Sequence, residues 1–255
     1  MRGHISFSEL KIWNECAYKH KLKYIDKVDE FKGNEFTAFG TAVHDTCEKA
    51  MLTGTLEAQN YFVLSFLREI EKLKDIGVNL DTKLLVEMKD QGKDMSNLLM
   101  PALKEYFGSY EIFSTEEKLY EDIEESPLKF KGYIDLVVKT GDGKYHIIDY
   151  KTCSWGWNAR KKNDKILTYQ LTLYKIFFSK KHNIDLKDIE THFILLKRTA
   201  KKDRVEPFRV TSGKKKVQNA LNLLDKSIYN ITSKRYIKNR TSCNLCEFNK
   251  TKYCN

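Results

Sequence analysis

The stretch KFKGYIDLVVKTGDGKYHIIDYKT, residues 129–152, decides the fold. Two runs rich in Val, Ile and Tyr flank the loop Thr140-Gly-Asp-Gly143, which is a turn signal between two strands. The sequence therefore predicts an antiparallel hairpin with strands at 129–139 and 144–152. Both faces of these strands are apolar, as in the centre of a sheet.

Three charged residues interrupt this apolar hairpin. If the loop closes at 140–143 without a bulge, Asp135 faces Asp149, and the two-residue period of a strand returns Lys151 to the side of Asp149. Two carboxylates placed across a ladder repel each other unless a cation neutralises them. A divalent metal such as Mg²⁺, which prefers oxygen ligands, meets that need and implies phosphate chemistry. The alternative is an ordinary ion pair of one carboxylate with Lys151 at a strand end.

The hairpin lies in a chain that mixes helices and strands. The patterns predict helices near 6–24, 41–52, 164–181 and 212–232, and strands at 192–197 and 205–210. Residues 56–110 are predicted to form two or three helices inserted into the domain. We therefore expect an α/β fold with a central mixed sheet flanked by helices, built as one domain over 1–255.

The net charge and the length of the apolar runs indicate which kinds of molecule the protein can bind. The 255 residues carry 45 Lys and Arg against 35 Asp and Glu, a net charge of +10. This excess favours a polyanion, and nucleic acid first. No apolar run approaches the ~20 residues of a membrane span, and no signal peptide is recognisable at Met1–Leu10. We expect a cytoplasmic protein without a membrane partner.

Basic runs and two tryptophans follow the hairpin. Trp155 and Trp157, next to Arg160 and Lys161, are predicted to stack on and hold a single strand of DNA. Core packing is the alternative for one of the indoles. Four further basic pairs or runs, any one of which could be a solvated face, extend the predicted surface: Lys197-Arg198, Lys201-Lys202, Lys214–Lys216 and Lys234-Arg235.

Several short motifs together resemble one enzyme family. Gly132-Tyr-Ile-Asp135 with Ile147-Ile-Asp149-Tyr-Lys151-Thr152 resembles the signature of the PD-(D/E)xK nucleases, in the form found in the RecB and Cas4 branch. Further pieces occur in the order of that branch: Ser6-Phe-Ser-Glu-Leu10 with Trp13 and Cys16, Gly40-Thr-Ala-Val-His44, Gln170-Leu-Thr-Leu-Tyr174, and Cys243, Cys246 and Cys254. Ala17 stands where the branch has a proline, and residues 56–110 match none of its motifs. The resemblance implies a restriction-endonuclease-like core.

The resemblance also implies a role for each site residue. Asp135, Asp149 and the backbone carbonyl of Tyr150 would hold Mg²⁺ or Mn²⁺, with His44 as a further ligand, and Lys151 would orient or activate the attacking water. A hydrogen-bonded packing role is the alternative for His44.

Two helical residues and one acidic residue complete the expected site. Gln170 and Tyr174, one helical turn apart, would contact the nucleic acid near the scissile phosphate. Tyr174 could also pack in the core. Glu117 matches an upstream acidic motif, although Glu116-Glu117 is equally compatible with a solvated turn.

The cysteines predict a second metal centre. Cys243, Cys246 and Cys254 place three thiolates on the tail 234–255, which is too poor in apolar residues to form its own core. By the resemblance, Cys16 supplies the fourth ligand and the four bind a [4Fe-4S] cluster that fixes the tail to the first helix. Structural Zn²⁺ is the alternative metal, and Cys153 is an alternative fourth ligand.

These features together predict a function. We expect a metal-dependent DNA nuclease, an exonuclease or single-strand nuclease of recombination, repair or phage DNA processing, in a bacterial, archaeal or phage-infected cell. Its partners would be DNA that is single-stranded or has free ends, and a helicase or recombination protein. The alternatives are a structure-specific or nicking endonuclease on the same fold and a non-catalytic nucleic-acid-binding subunit.

Overall fold

The computed structural model describes residues 3–28, 31–54 and 57–254. Its centre is a mixed sheet of β1 (His4–Ser6), β2 (Tyr110–Asp122), β3 (Lys129–Thr140), β4 (Tyr145–Cys153), β5 (Ile189–Lys197) and β6 (Val205–Val210). The helices are α1 (Phe7–Glu15), α2 (Ala17–His20), α3 (Glu35–Thr53), α4 (Ala58–Asp75), α5 (Thr82–Ser96), α6 (Leu99–Phe107), α7 (Ala159–Lys162), α8 (Lys165–His182) and α9 (Lys214–Thr232). The predicted α/β class with helices around a mixed sheet is confirmed.

The predicted hairpin forms with the predicted register. The pairs of β3 with β4 run from Leu136 with Ile148 to Lys139 with Tyr145, so the residue numbers of each pair have the same sum as 135 and 149. Gly143 has φ +83°, a conformation that glycine adopts without strain, and this allows the chain to reverse directly after Thr140.

The long strand β3 has a split edge. Along one edge it pairs with β2 from Lys129 to Thr140. Along the other edge it pairs with parallel β1 at 129–131 and with antiparallel β4 at 136–139. Residues 132–135 therefore lie where β1 and β4 diverge, and Asp135 is at this split.

Two apolar cores fill opposite faces of the sheet. One contains Phe130, Ile134 and Val137 of β3 with residues of α1, α8 and α9. The other contains Leu136, Val138 and Ile148 with residues of α3, α4, α5 and α6. Because both faces are covered, the strands are apolar on both sides, as the sequence indicated.

The predicted helical stretch 56–110 forms three helices that pack on α3 and the sheet. Gly92 of α5 is required by this packing, since a Cβ there would lie 2.0 Å from the ring of Phe62 in α4. Residues 55 and 56, at the predicted start of the insertion, lie outside the described residues. No helix in the part of the chain that the structure describes is both long and apolar enough to cross a membrane.

Two helix boundaries and one strand differ from the prediction. The second helix begins at Glu35 and not near Thr41, because the side chain of Asn34 caps it by accepting hydrogen bonds from Phe36 N and Thr37 N. The first helix is interrupted at Cys16, which has extended backbone angles, and the chain then continues as α2. Strand β2 was not predicted at all. Its exposed, strongly charged sequence and its register shift between Ile112 and Ser114 obscure the alternation of a strand.

Candidate active site

The split of the sheet brings together the predicted charged residues of the hairpin. Asp135 Oδ2 accepts a hydrogen bond from the backbone N–H of Tyr150 at 2.6 Å. The side chain of Asp135 therefore occupies the place where β3 and β4 stop pairing. Because the N–H and C=O of one strand residue point to the same side, the Tyr150 carbonyl also faces this split.

Asp149 is buried and is held by two polar groups. Its side chain is 3% exposed, and its Oδ2 lies 2.6 Å from Lys151 Nζ. Gln170 of α8 donates through Nε2 to Asp149 Oδ1 at 2.5 Å. The predicted return of Lys151 to the side of Asp149 is thus present in the structure.

Burial makes the negative charge of Asp149 energetically unfavourable in this position. Burial raises the pKa of Asp149 to about 6, with the negative charge of Asp135 adding to the rise and the ammonium of Lys151 opposing it. Within the described residues, Asp149 Oδ2 accepts no hydrogen bond of good geometry, although Lys151 Nζ is close. A buried carboxylate oxygen whose close polar neighbour is an ammonium lies in a position that favours a cation.

His44 approaches Asp135 from the other face of the sheet. It lies on α3, with Nδ1 3.4 Å from Asp135 Oδ1, and its ring meets the Tyr150 ring edge to face. Burial lowers the pKa of His44, but the contact with Asp135 and the charge of Asp149 outweigh burial and raise it. The predicted His44, Asp135, Asp149 and Lys151 therefore form one cluster between α3 and α8.

Gly132 of β3 and the ring of Tyr174 in α8 are in close contact beside the site. A Cβ at Gly132 would lie 2.8 Å from the Tyr174 ring, so only glycine allows α8 to cross β3 here. The Tyr174 hydroxyl accepts a hydrogen bond from Gln170 Nε2 at 3.3 Å. Tyr174 is 6% exposed, so it packs within the protein, and its predicted contact with nucleic acid stays a prediction. The geometry assigns it to positioning Gln170.

The sequence analysis missed Glu116, which faces the cluster from β2. Partial burial, together with the negative charges of Asp135 and Glu48, raises the pKa of Glu116 to about 7. Its φ of +45° is uncommon for a residue other than glycine, and such backbone strain is concentrated at functional sites. No spacing signal distinguishes Glu116 from its neighbour, because a strand was not expected here.

Glu117, the acidic residue favoured by the sequence, points elsewhere. Its carboxylate forms ion pairs with Lys181 and with His182, the latter at 2.9 Å, at the end of α8. These partners lower the pKa of Glu117 although burial opposes them. Glu117 therefore fixes α8 to β2, and the predicted match to the upstream acidic motif is better fulfilled by Glu116.

The comparison with known families decides the identity of the fold. The model of the PD-(D/E)XK nuclease superfamily matches residues 4–254. The chain belongs to the PD-(D/E)XK nuclease superfamily. The match spans both cores, the hairpin and the cysteine tail, and it supports a hydrolytic nuclease. No curated protein is significantly similar to the chain in sequence.

Solved structures share the fold of this nuclease at low sequence identity. A proposed exonuclease from Eubacterium rectale superposes with a TM-score of 0.64 at 11% identity, covering 98% of this chain and 89% of that protein. The protein SSO0001 superposes with a TM-score of 0.45 at 14% identity, covering 97% of this chain and 84% of that protein. At such identities the likeness of the first shows the fold alone.

The cluster fits the divalent metal that nucleases of this superfamily use. The oxygens of Asp135, Asp149 and the Tyr150 carbonyl are the ligands that Mg²⁺ and Mn²⁺ prefer. The buried Asp149 Oδ2 without a well-aligned donor meets the same requirement. The nearby carboxylate of Glu116 adds negative charge.

The two tryptophans after the hairpin differ. Trp155 is 75% exposed, as predicted for a stacking platform. Trp157 packs edge to face on Phe193 and Phe208, and Lys161 covers its ring at 4.9 Å. The alternative of core packing therefore holds for Trp157, because its neighbours on β5 and β6 partly bury the ring. Arg160 and Lys161 lie on α7 and are exposed.

The basic pair Lys197-Arg198 is not free to contact nucleic acid, because both side chains are engaged within the protein. Lys197 forms an ion pair with Glu206 at 2.9 Å. Arg198 donates to Gln91 at 2.6 Å and lies over the Phe36 ring. Both are nearly buried, so they support the packing of α5 and β6. Lys201 and Lys202 remain exposed.

The cysteines converge as predicted. Cys16, Cys243, Cys246 and Cys254 line one pocket, together with Tyr18 and Phe248. The break between α1 and α2 turns Cys16 towards the tail, where its Sγ accepts from Asn239 N at 3.3 Å. Cys153 is not part of this pocket and lies on β4 opposite Lys197. The structure thus favours Cys16 over Cys153 as the fourth ligand.

Proposed function

We propose that this nuclease is a Mg²⁺- or Mn²⁺-dependent deoxyribonuclease that acts on single strands or from free ends, in the manner of the RecB and Cas4 branch. The observation that carries the proposal is the cluster at the split sheet edge. Asp135, Asp149, His44 and Lys151 converge there from both faces and from two strands.

Asp135, Asp149 and the Tyr150 carbonyl would hold the metal, with His44 beside Asp135. Bound there, a divalent ion lowers the pKa of its water and neutralises charge developing on the phosphate. Gln170 fixes Asp149 Oδ1, so Oδ2, which lies beside the Lys151 ammonium, is the oxygen that would bind the metal. Lys151 keeps an ammonium at Asp149 Oδ2, where it can orient the attacking water and stabilise the phosphate charge.

A groove beside the split supports a nucleic acid partner. It is lined by Ser8, Lys131, Gly132, Tyr133 and the edge of Tyr174. Tyr133 is 43% exposed, and Lys131 lies over its ring at 5.8 Å. An exposed aromatic ring beside a cation binds single strands by stacking and phosphate contact. Aromatic and basic groups thus lie on β3, at Lys131 and Tyr133, and after β4, at Trp155, Arg160 and Lys161.

We propose a [4Fe-4S] cluster for the cysteines of the tail, with Zn²⁺ as the alternative. Zinc with Zn–S bonds of ~2.3 Å needs its four sulfurs within ~4 Å of one another. In the described residues no three of the cysteine sulfurs lie within 4.8 Å of one another. A cluster separates its thiolates more widely because each binds a different iron. The pocket shared by the four cysteines is compatible with that wider set.

The test compares linear and closed substrates. Anaerobically purified protein with Mg²⁺ or Mn²⁺ is incubated with end-labelled linear single-stranded DNA, the same sequence as a closed circle, and the same sequence as RNA. We expect mononucleotides or short products from linear DNA only. Cleavage of the circle would identify an endonuclease, and equal cleavage of RNA would remove the DNA preference.

A matched pair of lysine variants distinguishes DNA cleavage by this protein from cleavage by a contaminating nuclease. Lys151→Ala should abolish cleavage while anisotropy still detects DNA binding, since the basic surface supplies affinity. Lys187→Ala, an exposed lysine paired with Asp185, should behave as the unmodified protein. DNA binding without any cleavage by the unmodified protein would leave a binding subunit.

A further inference from the structure

Two histidines and a glutamate cluster at the start of β4 and β5, outside the nuclease site. His146 Nδ1 lies 3.1 Å from His192 Nε2, and Glu190 Oε2 lies 3.9 Å from His146 Nδ1. The three ligand atoms are all within 4.8 Å of one another. Parallel pairing explains the cluster, because His146 is opposite Glu190 and Ile148 is opposite His192.

Each member of the cluster is anchored by its other polar atom. His146 Nε2 lies 2.9 Å from Thr140 Oγ1, and His192 Nδ1 lies 3.3 Å from the Tyr106 hydroxyl. Imidazoles that bind metals are oriented in the same way, with the second nitrogen donating to an oxygen. Each ring thus has one nitrogen fixed outward and one directed into the cluster.

The two carboxylate oxygens of Glu190 also have different roles, since one is anchored outside the cluster and the other lies in it. Oε1 is held by Lys144 at 3.1 Å and by Arg209 at 2.9 Å, whereas Oε2 is the oxygen nearer His146. The two cations neutralise one carboxylate oxygen and hold the other in place. The rings of Tyr106 and Phe107 at the end of α6 cover the histidines, which are both nearly buried.

We propose that His146, Glu190 and His192 bind a zinc-class divalent ion at a site separate from the nuclease centre. Tetrahedral bonds of ~2.0–2.2 Å place ligand atoms ~3.3–3.6 Å apart. The separations from His146 Nδ1 to its two partners are 3.1 and 3.9 Å, within a few tenths of an ångström of this range, and Glu190 and His192 are within 4.8 Å of each other. Two imidazoles and one carboxylate favour Zn²⁺ or a similar transition metal over Mg²⁺, which prefers oxygens. Water would complete the coordination.

The site would tie together four segments of the fold. It joins β4 to β5 directly, and through Thr140 and Tyr106 it reaches the hairpin turn and α6. His146 is three residues, or ~10 Å, along β4 from Asp149. Its partners are on the α6 face, whereas Asp149 is bonded to α8. The proposal does not depend on the nuclease activity.

The test uses the full chain, stripped of loosely bound metal and titrated with Zn²⁺ and with Co²⁺ as a spectroscopic probe. We expect an ion, in addition to any at the hairpin cluster, whose Co²⁺ d–d bands carry no thiolate charge-transfer band and persist in the Asp149→Ala variant, together with a rise in melting temperature. His192→Gln should weaken this binding at least a hundredfold, and Glu190→Gln should weaken it less. His182→Gln, a histidine paired with Glu117, is the matched control and should bind normally.

A second measurement uses the unmodified protein and does not require the variants to fold. Long-range ¹H–¹⁵N spectra of the imidazoles should show His146 Nδ1 and His192 Nε2 shifting on addition of Zn²⁺, with the protons retained on His146 Nε2 and His192 Nδ1. Unchanged imidazole signals, or Co²⁺ bound only with thiolate bands, would overturn the proposal and leave a hydrogen-bonded histidine pair.

Discussion

The hairpin of β3 and β4 and the C-terminal tail use their polar residues in opposite ways. The hairpin is covered by a core on each face and places the nearly buried Asp149 close to Asp135. The tail contributes one large, fully buried side chain, Phe248, and otherwise attaches through polar contacts. In the hairpin, the fold brings two carboxylates of like charge close together. In the tail, polar contacts attach the segment to the rest of the protein.

The contacts of the tail show how much depends on Cys16 and its neighbours. Asn239 and Ser242 both bond the Glu15 carbonyl, and Lys19 forms an ion pair with Glu247 at 3.0 Å. Exposed or half-exposed pairs of this kind contribute little each. A metal in the hairpin would therefore serve chemistry at a site that folds without it, whereas a metal at the cysteines would serve stability.

The largest expected effect separates these two roles. Asp149→Ala should reduce the rate of DNA cleavage at least a thousandfold, because it removes a proposed metal ligand, yet it should not lower the melting temperature in metal-free buffer at pH 8. Cleavage rates and thermal melts of both proteins check this. Asp185→Ala, at an exposed ion pair, is the control. A large loss of stability in the Asp149 variant would show that the hairpin needs its charges to fold.

The second effect concerns the tail. Cys16→Ser should bleach the brown colour of anaerobically purified protein and lower the melting temperature by roughly 6–12 °C, as expected for losing about 3 kcal/mol of linked metal binding. Cys153→Ser, outside the pocket, should retain the colour. Colourless unmodified protein with one zinc at the tail would keep the metal link and exclude the cluster. Metal-free protein with an ordered tail would defeat both.

Sequence reasoning was most successful where local rules determine the geometry. The short loop Thr140–Gly143 fixes the register of the hairpin, so the approach of Asp135, Asp149 and Lys151 could be predicted. The approach of Glu116 to this cluster could not be predicted, because β2 is irregular. The direction of the Glu116 side chain depends on the left-handed backbone conformation of Glu116 itself. The burial of Trp157 depends on Phe193 and Phe208, which are brought near by strand pairing far along the chain.

The third effect tests the surface beside the hairpin. Trp155→Ala should weaken single-strand binding by roughly 1–3 kcal/mol, since it removes an exposed stacking ring. Trp157→Ala should instead lower stability, because its indole packs on β5 and β6. Anisotropy titrations at two salt concentrations and thermal melts distinguish the two. Equal binding by both variants would remove Trp155 from the DNA path.

The smallest effect is the pH dependence of stability in metal-free protein. A carboxyl pKa raised to about 6 in the folded state means that folding favours the protonated form. Its stabilising contribution is full below the unfolded pKa of ~3.9 and is lost as pH rises through 6, a loss on the order of 1 kcal/mol between pH 5 and pH 8. Asp149→Asn should reduce the slope of this part of the profile, to which Glu116 with its pKa of about 7 also contributes, and Cys16→Ser should leave the slope unchanged. An unchanged profile in the Asp149 variant would contradict the burial argument.

The most direct test of the central claim is the Mg²⁺ dependence of cleavage by the hairpin cluster. The initial rate on 5′-labelled single-stranded DNA is measured against Mg²⁺ concentration for the unmodified protein and for Asp135→Asn, with DNA binding followed in parallel by anisotropy. We predict that cleavage by the unmodified protein requires and saturates with Mg²⁺, and that Asp135→Asn binds DNA but does not cleave it. Cleavage that persists in chelator, or that survives in Asp135→Asn within a few-fold, would contradict a metal-dependent nuclease centre at the split of the sheet.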